Sequence, residues 1–219
     1  KGKLTEELKK EIINAEKLSE VEDLYRPYKE KKKTRATEAK RKGLEPLALY
    51  LLEFPVEGNV EEEASKYVTA EVTEELEKQD LVIKDVQEAL QGAKDIIAEM
   101  VSDEPKYRKW IRTLFQRQAE LRSSLRDEKL DEKHVYEMYY DYSEPLNSIK
   151  HHRILALNRG EAEKVLKVEI SEDLERVLRF LNRQVVTSHN SVTAEYVSSA
   201  IEDGYKRLIK PSIERVIRS

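Results

Sequence analysis

Residues 86–101 read VQEALQGAKDIIAEMV and carry the clearest structural signal in the sequence. Apolar side chains recur there at the i, i+3, i+4, i+7 spacing that places them on one face of a helix. They are Val86, Ala89, Leu90, Ala93, Ile96, Ile97, Met100 and Val101. This stripe predicts an amphipathic helix whose apolar face lies in a protein core.

Three further stripes of the same kind follow along the chain. They comprise Tyr107, Trp110, Ile111, Leu114, Phe115; then Leu174, Val177, Leu178, Leu181, Val185; then Val197, Ala200, Ile201, Gly204, Tyr205, Leu208. Strand evidence is confined to Leu166, Val168 and Ile170, which alternate with charged residues. We therefore predict a mainly α fold: a multi-helix, bundle-like array with at most a short β-hairpin or small sheet around 119–126 and 164–170.

Composition narrows the class of protein further. The chain has 219 residues, of which 38% are charged and none is Cys, so disulfides and thiolate metal sites are excluded. Its longest apolar run, residues 47–52, is far shorter than the ~20 residues that span a bilayer. No secretory signal pattern is visible. We expect a soluble, cytoplasmic protein.

The net charge of −4 hides a strong asymmetry. Residues 26–42 contain nine Lys and Arg against two Glu, and residues 106–126 contain seven Lys and Arg against one Glu. Phosphate binding depends on the local field rather than on the total charge, so this distribution permits a nucleic-acid-binding face without requiring one.

The first basic segment supplies the candidate binding residues. They are Lys29, Lys31, Lys32, Lys33, Arg35, Lys40, Arg41 and Lys42. Residues 26–35 are predicted to form a loop, after which Thr34 or Thr37 caps a helix that ends at Gly43. Lysine and arginine neutralise phosphates, and the flanking Tyr25 and Tyr28 are candidates for stacking on bases. The alternative is that the tyrosines pack the loop onto the body and the lysines are only solvated.

The remaining clusters of tyrosine and histidine favour structural roles. Tyrosines clustered between 136 and 142 more often fill an interface between helices than form a stacking platform. His151 and His152 are adjacent, so their side chains diverge, and we predict no metal site. The sequence has no phosphate-binding glycine loop and no nucleophile elbow. We therefore expect no catalytic residues, no cofactor and no enzymatic activity.

Five blocks of sequence, in order, resemble the Tex family of bacterial transcription accessory proteins. They are EDLYRPYK at 22–29 with KKTRAT at 32–37 and KGLEPLA at 42–48; ALQGA at 89–93 with DIIAE at 95–99; YSEPL at 142–146; HRILALNRGE at 152–161; and KPSIER at 210–215. The resemblance covers almost the whole chain.

This resemblance implies a fragment, residues 1–219, of the family's N-terminal helical region, with a possible subdivision into 1–101 and 102–219. The family's YqgF (RNase H-like), helix-hairpin-helix and OB-fold RNA-binding modules are absent from this sequence. Family members bind RNA or DNA, usually through the OB-fold module, and act in transcription. The implied partners are therefore nucleic acid, mainly through the missing modules, and the remaining domains of the same protein, with no membrane partner.

The leading interpretation is a non-enzymatic helical scaffold with a basic edge that faces nucleic acid. The alternative is a free-standing DNA-binding domain of helix-turn-helix type, with residues 34–42 as the recognition helix and residues 44–52 as the second helix.

Overall fold

Twelve α-helices and one small sheet form the described part of the chain, residues 2–219, in a computed structural model. The mainly α prediction is confirmed. The helices are α1 (Glu6–Asn14), α2 (Leu18–Tyr25), α3 (Arg35–Arg41), α4 (Glu45–Leu52), α5 (Val60–Ser65), α6 (Glu74–Lys78), α7 (Val86–Asp103), α8 (Pro105–Gln118), α9 (His151–Ala162), α10 (Leu174–Val185), α11 (Ala194–Gly204) and α12 (Lys210–Ile217). Short 3₁₀ turns cover Arg26–Tyr28, Glu128–Leu130 and Glu137–Tyr139, and a π-helical turn covers Tyr205–Ile209.

The chain divides into two compact units. The first contains the residues up to Arg108 together with Leu178–Lys210, and the second contains Lys109–Val177 together with Pro211–Ser219. The polypeptide therefore passes from one unit to the other within α8, within α10 and where the π-helical turn meets α12.

The first unit is built around α7. Helices α3, α4, α5 and α11 all contact it. The predicted apolar stripe is buried at Ala89, Leu90, Ala93, Ile96, Ile97 and Val101, whereas Met100 is 46% exposed. An 18-residue helix covered on several sides is stabilised mainly by this burial rather than by helix propensity.

The second unit contains an antiparallel sheet of three strands in the order β2-β1-β3. The strands are β1 (Glu120–Leu125), β2 (Asp141–Pro145) and β3 (Leu166–Ser171). Leu121 lies opposite both Ile170 and Glu144, so the inner face is apolar on the β3 side and polar on the β2 side. The sequence predicted β1 and β3 but not β2, because DYSEP lacks an apolar alternation.

Side chains cap several of these helices. Thr34 caps α3, as the sequence predicts, Asn59 caps α5, and Pro46 lies in the first turn of α4.

Helix α2 begins at Leu18 without a side-chain cap. Lys17 occupies the N-cap position, because the backbone N–H groups of Glu20 and Val21 donate to the Lys17 carbonyl. Ser19 consequently lies inside the first turn.

Candidate functional site

The basic segment, residues 26–42, consists of a 3₁₀ turn, an irregular stretch and helix α3. Thr34 and Thr37 form a reciprocal capping box: the N–H of Thr37 donates to Thr34 Oγ1 at 3.1 Å, and the N–H of Thr34 donates to Thr37 Oγ1 at 2.7 Å. At the other end Gly43 adopts φ +82°. There the N–H of Leu44 bonds to the Ala39 carbonyl, which closes the helix as a Schellman motif.

Two of the predicted lysines hold the segment onto α7. Lys31 Nζ forms an ion pair with Asp103 and lies 3.4 Å from Glu99 Oε1. Lys42 Nζ lies 3.3 Å from Glu88 Oε1. All five of these side chains are at most about one third exposed, so the pairs fix the two ends of the basic segment against the core helix.

The other predicted cations face outward. Arg41 pairs with Glu38 at 3.1 Å, one turn away on the same helix. The remaining five are exposed, and their side chains form no hydrogen bond or ion pair with any residue from 2 to 219, although the charge of Arg35 acts on Asp95. These five cations are Lys29, Lys32, Lys33, Arg35 and Lys40. They define the outer rim.

An acidic row on α7 was not predicted as part of this site. Glu88, Asp95, Glu99 and Asp103 follow one another at intervals of seven, four and four residues, which places them on one side of the helix beside the apolar stripe. Thr34 Oγ1 also donates to Glu99 Oε1 at 3.1 Å. The spacing of these acidic residues is visible in the sequence. The lysines that pair with them, however, lie about 45–70 positions away in the chain.

Burial changes the electrostatics of this row. Desolvation raises the pKa of Asp95, although a hydrogen bond from Gln91 and the charge of Arg207, 4.0 Å away, act in the opposite direction. Desolvation likewise raises the pKa of Asp103 against the effect of Lys31. These carboxylates are therefore costly to keep charged, and their neighbouring cations offset part of that cost.

A cleft of about 580 Å³ separates α3 from α7. Lys33, Arg35 and Lys42 line it together with Glu38, Glu88 and Asp95. Its floor is tight at Gly92, where a Cβ atom would overlap Leu44 Cδ1. Because Lys33 and Arg35 of the outer rim share this cleft with carboxylates, a phosphate is better accommodated at the rim cations outside it, which are Lys29, Lys32 and Lys40.

Two arginines of the second basic stretch, residues 106–126, bond to neighbouring residues. Arg108 is 2% exposed and donates to the carbonyl and the hydroxyl of Ser102. Arg122 pairs with Glu120 at 2.9 Å. These arginines thus have structural partners.

The tyrosine cluster is largely structural. Tyr136 and Tyr139 are buried, and Tyr139 packs edge-on against Tyr142 with ring centroids 5.2 Å apart. The Tyr142 hydroxyl and Arg153 Nη1 both donate to Glu144, the latter at 2.8 Å. His151 and His152 are exposed at the start of α9.

Within residues 2–219, no group of three or more His, Asp or Glu side chains is placed to hold a metal ion. None of the helices in that range combines the length and the apolar character needed to cross a bilayer.

Comparison with known proteins places this architecture in a family. Residues 57–218 match the family model described as Tex central region-like. The chain belongs to the Tex family. The family predicted from the five sequence blocks is therefore confirmed.

Named relatives support the Tex assignment. The chain is 46% identical to the Bacillus subtilis protein YdcI over 217 residues, covering 99% of this chain and 29% of that protein. It is 33% identical to the Neisseria gonorrhoeae transcriptional accessory protein Tex over 170 residues, covering 77% and 21%. It is 32% identical to the human S1 RNA-binding domain-containing protein 1 over 231 residues, covering 100% and 22%. The Tex-family chain thus spans less than a third of the length of these relatives.

The helix-turn-helix alternative is not favoured. Besides the family match, α3 has only seven residues, and it buries Ala36 and Ala39 while Lys42 bonds to α7. A recognition helix needs a free face of base-reading side chains, and α3 offers little of one.

Proposed function

We propose that this Tex-family chain is a non-enzymatic helical scaffold of a cytoplasmic transcription accessory protein, and that its outer rim contacts nucleic acid. Its other partners would be the remaining domains of the same protein. The observation that carries the nucleic-acid contact is the division of the predicted cations: Lys31 and Lys42 fix the segment to α7, while the outer rim keeps its charge unneutralised.

A fixed row of free cations suits phosphate binding. Lysines that already pair with carboxylates release no counterions when they meet a phosphate, whereas unpaired ones do. The rim is also held in place, because both of its ends are tied to the central helix of the unit. Such contacts position a nucleic acid without reading its sequence.

The scaffold role is supported by what the buried polar groups do. Asp95 lies 4.0 Å from Arg207 of the π-helical turn, Asp103 pairs with Lys31 of the basic segment, and Asp131 accepts a hydrogen bond from the N–H of Tyr136. The Tyr142–Glu144–Arg153 cluster likewise joins β2 to α9. A side chain engaged in this way supports the fold and needs no substrate to explain it.

The test is the affinity of the chain for fluorescent RNA and DNA probes at low salt. RNA is the first choice, since one relative is named for an RNA-binding domain. The variant K32E/K33E should weaken binding roughly tenfold or more. It should also make the slope of log affinity against log salt concentration shallower by roughly 0.7–0.9 for each lost phosphate contact.

The matched control is K129E/K133E, which makes the same change in charge at two exposed lysines of the second unit. It should leave the affinity nearly unchanged. If both variants lose affinity equally, the effect comes from net charge and not from the outer rim. If the wild-type chain binds no probe at low salt, the proposed contact with nucleic acid is wrong. Nuclease turnover with Mg²⁺ by the chain would contradict the non-enzymatic role.

A further inference from the structure

We infer that Tyr25 and Tyr28 form a stacking platform for unpaired bases, so that the nucleic acid contacted here is single-stranded. This inference rests on the proposed function and names its substrate class. The two tyrosines adjoin the outer rim in sequence, since Lys29 follows Tyr28 directly.

The exposure of these two rings sets them apart from every other tyrosine, tryptophan and phenylalanine side chain. Tyr25 is 57% exposed and Tyr28 is 39% exposed. The other nine tyrosines, the single tryptophan and the three phenylalanines are all buried or half-buried. Among the tyrosine, tryptophan and phenylalanine rings of residues 2–219, this pair is therefore the most open to a ligand.

The backbone presents the pair on one side. The 3₁₀ turn Arg26–Tyr28 follows Tyr25, and residues three apart eclipse one another in 3₁₀ geometry. Both rings line a groove of about 550 Å³ whose other walls include the apolar side chains of Leu8, Ile12 and Leu24 and the charged side chains of Lys3 and Glu30. The turn contacts α7, so the platform has a rigid support.

The adjacent charges favour a nucleic acid as the occupant. The Cα atoms of Lys32 and Lys33 lie within roughly 18 Å of that of Tyr28, the limit set by five extended residues. Stacking rings beside a row of cations is the arrangement that binds single strands without sequence preference. An apolar peptide would also fill the groove, but it would leave the cations of the outer rim unused.

A duplex offers no free base to these rings. Its bases are stacked inside the helix, and only its phosphates can reach the lysines. The platform should therefore discriminate between single and double strands, whereas the lysines alone should not.

The experiment compares three double variants on a single-stranded RNA probe and on the matching duplex. Y25A/Y28A and Y25L/Y28L should weaken single-strand binding about 5-fold to 100-fold, and Y25F/Y28F should stay within about twofold of wild type. Duplex affinity should not change in any of them. Circular dichroism and the unfolding midpoint check that each variant is folded.

Three outcomes overturn the platform and leave the proposed function standing. In one, Y25A/Y28A binds the single strand like wild type while K32E/K33E does not. In another, Y25L/Y28L binds like wild type, which would make the groove an apolar surface suited to a peptide. Equal weakening of single-strand and duplex binding would also overturn the platform. If the wild-type chain binds no probe, the proposed function itself fails.

Discussion

Gly204 on α11 lies so close to Ala98 on α7 that no side chain fits between the two helices. A Cβ atom built on Gly204 would stand 2.8 Å from the Ala98 carbonyl oxygen and 3.1 Å from its Cα atom. The obstacle is backbone, which cannot rotate away as a side chain can. The first unit therefore depends on a close approach of the two helices at this position.

Replacing Gly204 by alanine should lower the free energy of unfolding by about 1–3 kcal/mol, because the added methyl group forces the helices apart. The loss should occur even though alanine favours helix by about 1 kcal/mol over glycine. Urea unfolding measures it. The control S199A, on the exposed side of the same helix, should stay within about 0.5 kcal/mol of wild type. Equal stability of the two variants would contradict the close packing.

Lys164 ends α9 in the left-handed region that glycine favours, with φ +63°. The N–H of Val165 bonds to the Gly160 carbonyl and that of Lys164 to the Glu161 carbonyl, which defines a Schellman motif. K164G should raise the free energy of unfolding by about 0.5–1 kcal/mol, measured by thermal or urea unfolding. K164A removes the same charge but keeps the strain, so it should bring no such gain. If K164A stabilises as much as K164G, charge rather than backbone explains the effect.

The pair Lys31–Asp103 should couple more strongly than a solvent-exposed pair, because its side chains are only 23% and 17% exposed. A double-mutant cycle with K31M and D103N should give about 1–2 kcal/mol. The control cycle uses Lys78 and Glu74, which are 77% and 90% exposed, and should give at most about 0.5 kcal/mol. Equal coupling in the two cycles would mean that Lys31 does not hold the basic segment.

Asp131 should make the second unit sensitive to acid. Burial acts to raise its pKa, but the N–H of Tyr136, the hydroxyl of Tyr140 and the N–H of Val135 all donate to its carboxylate and hold that pKa below its usual value. A carboxylate with a lowered folded-state pKa contributes stability above its unfolded pKa of about 3.9, and this stability is lost as the pH falls through the folded pKa. The protein should therefore become less stable, and its unfolding midpoint lower, once the pH falls below about 4.

The variant D131N should be less stable than wild type at pH 7, since its amide nitrogen cannot accept these bonds. Its unfolding midpoint should also depend less on pH below about pH 4. D141N, at an exposed residue of β2, is the control and should reproduce the wild-type profile. A D131N profile parallel to that of wild type would place the acid sensitivity elsewhere.

Strand β2 shows where sequence patterns stop being informative. β3 was predicted because its buried residues Leu166, Val168 and Ile170 alternate with charged ones. In β2 the inward positions are Tyr142 and Glu144, and the strand forms only because β1 offers its free edge. Its conformation thus depends on a partner some twenty residues away.

The lysines of the basic segment show the same limit. Lys31, Lys32 and Lys33 are identical in type and consecutive in the sequence, yet the first pairs with α7 and the other two are free. Nothing local distinguishes them. Only the position of Asp103 on a helix 72 residues away selects Lys31.

The amino-acid order alone set most of the helices, several of their caps and the resemblance to the Tex family, because helical periodicity and capping act over a few residues. Tertiary packing decided which cations remain unpaired, which rings stay exposed and where the third strand lies. The physical reason is range: charge pairing and burial join groups far apart in the chain, and only the folded backbone fixes the distances between them.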